Sequence, residues 1–231
     1  MSAPTSVPNS ARIEGRAAAL RIENLDTDQI MPKQFLRGID KAGLKDGLLH
    51  DLRFDAQGQP WPACVLNQAA YAGTNILIGG SNFGCGSSRE HAVWGLQQFG
   101  ILAVVASSYG EIFYSNAMNN RLLLVTLTPE EIARLMDDAD DPQGVPVSID
   151  VSAQTLRSRQ VNAHFELMPR HRRMFLEGLD SIGLSLTYQA RIESFAQAHW
   201  ARQPWLKNVA AVCSARAKDE NRVGLSARPP A

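Results

Sequence analysis

A chain of 231 residues with 45% hydrophobic content is long enough to bury a core of its own, as one domain with a terminal extension. Its 23 basic and 23 acidic residues cancel, which removes the electrostatic case for nucleic acid or an anionic membrane surface as partner. No apolar run approaches the roughly 20 residues that cross a bilayer, and Cys64, Cys85 and Cys213 are odd in number and far apart, which argues for a reducing cytoplasm over a disulfide framework.

Met1–Ala19 is rich in Ala, Ser and Pro and lacks the apolar stretch of a secretory signal, so it reads as a flexible leader. The folded domain is then expected over 20–206, with 207–231 as a disordered tail. Leu20–Leu25 alternates loosely, as a strand does, and runs into the polar turn Asp26-Thr27-Asp28. Pro32 argues against a long helix after it. Gly38–Pro62 mixes Gly, Asp and aromatic residues, with turn chemistry at Asp55–Gly58, and reads as an irregular excursion.

The middle of the chain is more regular. Asn75–Ile78 is an apolar run stopped by Gly79-Gly80, as a buried strand would be. A Gly- and Ser-rich loop, Ser81–Ser87, leads to a helix over Ser88–Phe99, with Ala92, Leu96 and Phe99 on one face and Gly100 as its stop signal. Ile101–Ala106 and Leu122–Leu127 are further strands, separated by a helix over Tyr109–Met118. Thr128-Pro129-Glu130-Glu131 supplies an N-cap, a proline at the first helical position and a glutamate to close a capping box. Alternating strands and helices imply a parallel α/β core. Pro146–Val151 and Thr155–Arg159 follow as a hairpin, and helices return from Pro169 and over Ile192–Trp200.

The densest chemical signal is Ser81-Asn-Phe-Gly-Cys-Gly-Ser-Ser-Arg-Glu-His91. Gly84 and Gly86 allow a tight bend, and a helix opening at Ser87 or Ser88 would aim its amides and dipole at an anion. Arg89 in a first turn opposes that dipole unless an anionic ligand such as a carboxylate sits there. Glu90, with Ser87 as N-cap, would complete a capping box. The plainer reading is a capped helix after a flexible turn with no ligand. A phosphate loop fails for want of Gly-Lys-Ser/Thr, and a nucleophile elbow fails for want of Gly-x-Ser-x-Gly.

A second cluster, Asn24-Leu-Asp-Thr-Asp-Gln-Ile-Met-Pro-Lys-Gln-Phe-Leu-Arg37, carries two carboxylates that could orient a serine or a basic group, or simply cap a solvated turn. The histidines, His50, His91, His164, His171 and His199, show no metal spacing, and the cysteines lack the short spacing of iron–sulfur or zinc sites. Arg170-His-Arg-Arg173 fits a solvated helix face or an interface better than an anion site.

Together, Asn24–Ile30, Pro32–Leu36 and Asn82–Ala92 resemble the small subunits of isopropylmalate dehydratases, and Ile112–Asn120 and Gly178–Leu184 continue the likeness in matching order. The resemblance runs over roughly Leu20 to Trp205. It implies an α/β fold, the swivelling β/β/α domain of aconitases, with a mixed or parallel sheet and flanking helices. It implies a large partner subunit holding a [4Fe–4S] cluster, with no metal or cofactor bound by this chain. The reaction implied is the isomerisation of 2-isopropylmalate to 3-isopropylmalate through isopropylmaleate, in leucine biosynthesis. By the same resemblance Ser87 is the base, Asp28 orients groups around it, Ser88 and Arg89 grip a substrate carboxylate, and Leu36 and Arg37 lie in the specificity segment. Leu36 would meet the isopropyl group. Arg37 leaves open a related hydroxy acid, such as citramalate, dimethylmalate or homocitrate. A non-enzymatic or RNA-associating swivel module is disfavoured by the neutral charge and the intact Ser-Ser-Arg segment.

Overall fold

The computed structural model of the chain describes residues 11–36, 43–141 and 143–215. Its residues divide into two units at Ser181/Ile182.

The first unit is built on one seven-stranded sheet of order β4-β3-β2-β1-β5-β6-β7. In chain order the strands are β1 Arg12–Leu20, β2 Ile76–Gly79, β3 Ala103–Ala106, β4 Leu123–Thr126, β5 Pro146–Asp150, β6 Thr155–Arg157 and β7 Asn162–His164. Strands β1 to β4 run parallel, and β5 to β7 are antiparallel. The helices are α1 Thr27–Ile30, α2 Leu44–Gly47, α3 His50–Arg53, α4 His91–Phe99, α5 Glu111–Asn119, α6 Pro129–Ala139 and α7 Pro169–Glu177. The mixed sheet with flanking helices agrees with the expected fold class, and the strand–helix alternation from β2 to α6 agrees with the sequence reading.

Strand β1 is where the structure departs from that reading. Residues Arg12–Ala19, set aside as leader, form most of the strand at the junction of the sheet. The half over Arg12–Arg16 pairs antiparallel with β5, and the half over Ala17–Leu20 pairs parallel with β2. The change of partner falls between Arg16 and Ala17; just before it, at Gly15, a Cβ would stand 2.1 Å from the Asn75 side chain. Asn75 uses that space to donate its Nδ2 proton to the Glu14 carbonyl at 2.9 Å. Ala17–Ala19 are small and buried, so the alanine-rich composition that resembles a linker serves close packing instead. Leu20–Leu25, expected as the strand, is largely the turn that follows it.

Strands β2 and β3 are buried along their whole length, as a parallel sheet covered on its faces requires. Helix α6 lies across β1, β2 and β3. Its start has the expected capping box: Thr128 Oγ1 accepts from the Glu131 amide at 3.3 Å, and Glu131 accepts from the Thr128 amide at 3.0 Å. Its far end carries Asp138, fully buried, which ties the helix to the turn between β6 and β7. The carboxylate accepts from Ser158 Oγ at 2.7 Å and from the backbone and side-chain N–H groups of Gln160, both at 2.8 Å, and it pairs with Arg159 at 3.2 Å. Burial acts to raise its pKa, but these donors together hold it below the ordinary carboxylate value.

The second unit holds most of α8 (Ser181–Leu186), then α9 (Gln189–Arg202), a 3-10 turn at Pro204–Leu206, and helical backbone over 209–215. The part of the expected tail up to residue 215 is therefore largely helical.

Candidate functional site

Two loops meet beyond the C-terminal ends of β1 and β2. The first, Asn24–Ile30, ends in the short helix α1. Asp26 caps it: its Oδ1 accepts from the Gln29 amide at 2.7 Å, while Gln29 Oε1 accepts from the Asp26 amide at 3.0 Å. One of the two carboxylates noted in the sequence is thus spent on the backbone, which is the ordinary work of an aspartate at a helix start. Asp28, the other, is exposed and takes no part in that cap.

The second loop, Ser81–Glu90, is joined to the first by backbone hydrogen bonds. Gly84 N–H donates to the Leu25 carbonyl at 2.7 Å, Thr27 N–H donates to the Cys85 carbonyl at 2.9 Å, and Asn24 N–H donates to the Ser81 carbonyl at 2.9 Å. Asn82 adds a side-chain bond, Nδ2 to Asn24 Oδ1, at 2.9 Å. Gly84 sits at φ +74 with no room for a side chain, since a Cβ would reach 2.3 Å from the Phe113 ring. Gly86, at φ +93, makes the last bend before the serines. Behind the loop, Phe83 and Phe113 pack at 5.5 Å between ring centres, and both are buried. Tyr109 closes the wall, its hydroxyl shared between the Val104 and Val125 carbonyls at 2.8 and 2.7 Å. Burial pushes its phenol well above the ordinary range, so it remains neutral.

The helix after this loop begins later than the sequence implies. Helix α4 starts at His91, and Ser87 does not cap it. The Ser87 amide is already committed, donating to Thr27 Oγ1 at 3.1 Å, and the chain passes through Ser88 and Arg89 without helical turns. The expected Ser87–Glu90 capping box is absent. Glu90 accepts instead from the Asn120 side-chain amide. Arg89 accordingly stands ahead of the helix, and its guanidinium Nη1 is paired with Asp28 Oδ1.

The structure therefore brings Asp28, Ser87 and Arg89 together, with Ser88 between the last two in the chain. Ser87 and Ser88 are exposed and Arg89 is half-buried. The Ser88 carbonyl accepts a long bond from Asn116 Nδ2 at 3.4 Å. Among the described residues no hydrogen bond uses the backbone N–H of Ser88 or Arg89, so neither amide is committed within the chain. Leu36 lies apart, half-buried after the 3-10 turn Lys33–Phe35 and packed at the rim of the core. Arg37 falls outside the described residues.

Sequence reasoning passed over Thr27. Its side chain is buried, and its Oγ1 lies 3.0 Å from Ser87 Oγ and 3.3 Å from the Ser87 carbonyl. The signal was its place between the two aspartates of the Asp-Thr-Asp turn. Among the described residues no trio of His, Cys, Asp or Glu side chains is placed to hold a metal, and Cys64, Cys85 and Cys213 are all free. These residues do not fit an iron–sulfur cluster of their own.

Comparison with known proteins adds four findings. Residues 8–130 match the family model described as the aconitase C-terminal domain. The chain is 58% identical over 205 residues to 3-isopropylmalate dehydratase small subunit 1 of Chromobacterium violaceum, covering 89% of this chain and 97% of that one. It is 47% identical over 197 residues to the 3-isopropylmalate dehydratase small subunit of Phenylobacterium zucineum, covering 85% and 97%. Among solved structures, a 3-isopropylmalate dehydratase from Methanocaldococcus jannaschii superposes with a TM-score of 0.56 at 28% identity, over 80% of this chain and 99% of that one.

Proposed function

Because the chain belongs to the 3-isopropylmalate dehydratase small subunits, of the aconitase C-terminal domain family, we propose that it is the small subunit of a hydro-lyase that isomerises 2-isopropylmalate to 3-isopropylmalate in leucine biosynthesis. It works in the cytoplasm with a large subunit that holds a [4Fe–4S] cluster. No helix among the described residues is long and apolar enough to cross a membrane.

The observation that carries the reading is the meeting of Ser87, Ser88, Arg89 and Asp28 where two hydrogen-bonded loops join. Dehydration of a hydroxy acid needs a base for a proton on carbon, a grip on the carboxylate beside that carbon, and help for the departing hydroxide. The cluster, when bound to the partner, supplies the last as a Lewis acid. This chain supplies the other two. Ser87 Oγ takes the proton, and it can do so only as an alkoxide held by nearby donors, since a free serine is far too weak an acid. Arg89 grips the carboxylate through the part of its fork that Asp28 leaves open, while Asp28 fixes the plane of the guanidinium. Ser88 adds its hydroxyl and its amide. Leu36 offers an apolar contact for the isopropyl group, and Arg37 beside it is the position to vary for relatives of the substrate.

Co-expression with the large subunit from the same genome, purified without oxygen, tests this. The chain alone should be inactive. The complex should form the unsaturated intermediate from 2-isopropylmalate faster than from citramalate, dimethylmalate, citrate or homocitrate. Preference for another acid would keep the chemistry and overturn the substrate, and turnover by the chain alone would overturn the division of labour.

A further inference from the structure

We propose that Thr27 is a positioning residue for the base: its hydroxyl holds Ser87 in place at rest and turns its proton onto Ser87 Oγ when that oxygen carries charge. This rests on the assignment of Ser87 as the base.

Thr27 is 1% exposed, so its hydroxyl does not look to solvent. Its oxygen already accepts from the Ser87 amide at 3.1 Å. A hydroxyl has one proton to give, and two acceptors stand within reach, the Ser87 carbonyl at 3.3 Å and Ser87 Oγ at 3.0 Å. All three contacts of the Thr27 hydroxyl are thus to one residue. At rest Ser87 can donate to Thr27, whose own proton then points at the carbonyl. Once Ser87 has lost its proton it can only accept. The shorter contact then becomes a charge-assisted bond with Thr27 as donor, reached by rotating one O–H and moving no heavy atom. No proton passes between the two residues.

The backbone makes this contact dependable. Thr27 N–H is bonded to the Cys85 carbonyl at 2.9 Å, and Asp26 fixes the turn of α1 that Thr27 begins. The hydroxyl is therefore set by the same bridge that sets Ser87, two residues beyond Cys85. Serine at position 27 would keep the donor and lose only the buried methyl group. Valine would keep the shape and lose the donor.

The test uses the complex with the large subunit, comparing Thr27→Ser, Thr27→Val and Ser87→Ala by kcat, KM and the pH dependence of kcat. A donor to an alkoxide lowers the pKa of that alcohol, so its loss should move the rising limb of the profile to higher pH by roughly one to two units. Thr27→Val should lose roughly 10- to 100-fold in kcat at neutral pH, recover as pH rises, and leave KM nearly unchanged. Thr27→Ser should stay close to the parent. A variant that merely disturbed packing would lose activity at every pH. A readout free of the partner comes from Ser87→Cys in the full chain, following alkylation of the thiol at position 87 against pH, with and without Thr27→Val. The thiolate should form at higher pH once the threonine donor is gone. Thr27→Val with an unshifted limb, Thr27→Ser as impaired as Thr27→Val, or coincident alkylation curves would each overturn the proposal. Ser87→Ala with full activity would overturn the base assignment and this proposal with it, whereas an inactive Ser87→Ala beside a normal Thr27→Val would sink this one alone.

Discussion

The two halves of the sheet solve different problems. In the parallel half, β1 to β4, the strands β2, β3 and β4 are short and nearly all buried, and both loops of the candidate site follow the C-terminal ends of β1 and β2. In the antiparallel half, β5 to β7, burial alternates along each strand, and a single carboxylate, Asp138, ties the last turn to α6. Parallel strands need long crossovers, and a crossover has to leave its strand at an end where backbone groups are free. Antiparallel strands turn back at once and offer no such place. The difference separates residues that should matter for turnover from residues that should matter for stability, and each half can be probed without the other.

The largest effect belongs to the parallel half. Ser87→Ala in the complex should lower kcat by roughly 10²- to 10⁴-fold with the unfolding midpoint in urea unchanged; an equal loss of stability would show that the serine is part of the scaffold. Next is Phe113→Ala, which empties the space behind Gly84 and Phe83 and should cost about 3–5 kcal/mol in urea unfolding. Because that ring backs the loop, turnover should fall as well. Asp138→Ala sharpens the contrast from the other side. It strands the Ser158 hydroxyl and the Gln160 amide and should cost about 1–3 kcal/mol, yet the surviving complex should keep its kcat. If kcat fell with it, the antiparallel half would not be mere support.

Acid gives a subtler version of the same experiment. Asp138 has a folded-state pKa below its unfolded value of about 3.9. Its bonds thus contribute fully above that value and are lost as pH falls through the folded pKa. Asp138→Asn should be less stable than the parent at neutral pH, with the gap narrowing below about pH 4, as read from denaturation midpoints across the acid range. The smallest effect is Arg21→Ala, which removes exposed pairs to Asp137 and Asp140 and should change stability by about 1 kcal/mol or less.

How much of this was legible in the sequence follows from how local each signal is. The capping box at Thr128, the stop at Gly100 and the apolar runs of β2, β3 and β4 are fixed by neighbours a few residues away, and the structure has them. Strand β1 was not legible, because Arg12–Arg16 holds a single apolar side chain, Ile13, and Ala17–Ala19 is weak strand sequence; only pairing with β5 and β2, far along the chain, makes it one. The start of α4 was placed too early for the same reason. Ser87 would cap a helix on its own, but Thr27, sixty residues away, takes its amide. Within the candidate site, the resemblance pointed to Ser87, Ser88, Arg89 and Asp28 as separate positions. That Asp28 meets Arg89 and that Thr27 meets Ser87 are facts of three dimensions.

The bridge between the two loops has a mechanical consequence. Bonds from Gly84 to Leu25 and from Thr27 to Cys85 rivet Asp28, Ser87 and Arg89 into one plate. A plate can be carried without being bent. If the small subunit moves against its partner between turnovers, the base and the carboxylate grip travel together, and the gap that changes is the one between the subunits. Deuterium exchange tests this: if the two rivets act as one, the Thr27 and Gly84 amides should lose protection together, and independent loss would show two separate joints.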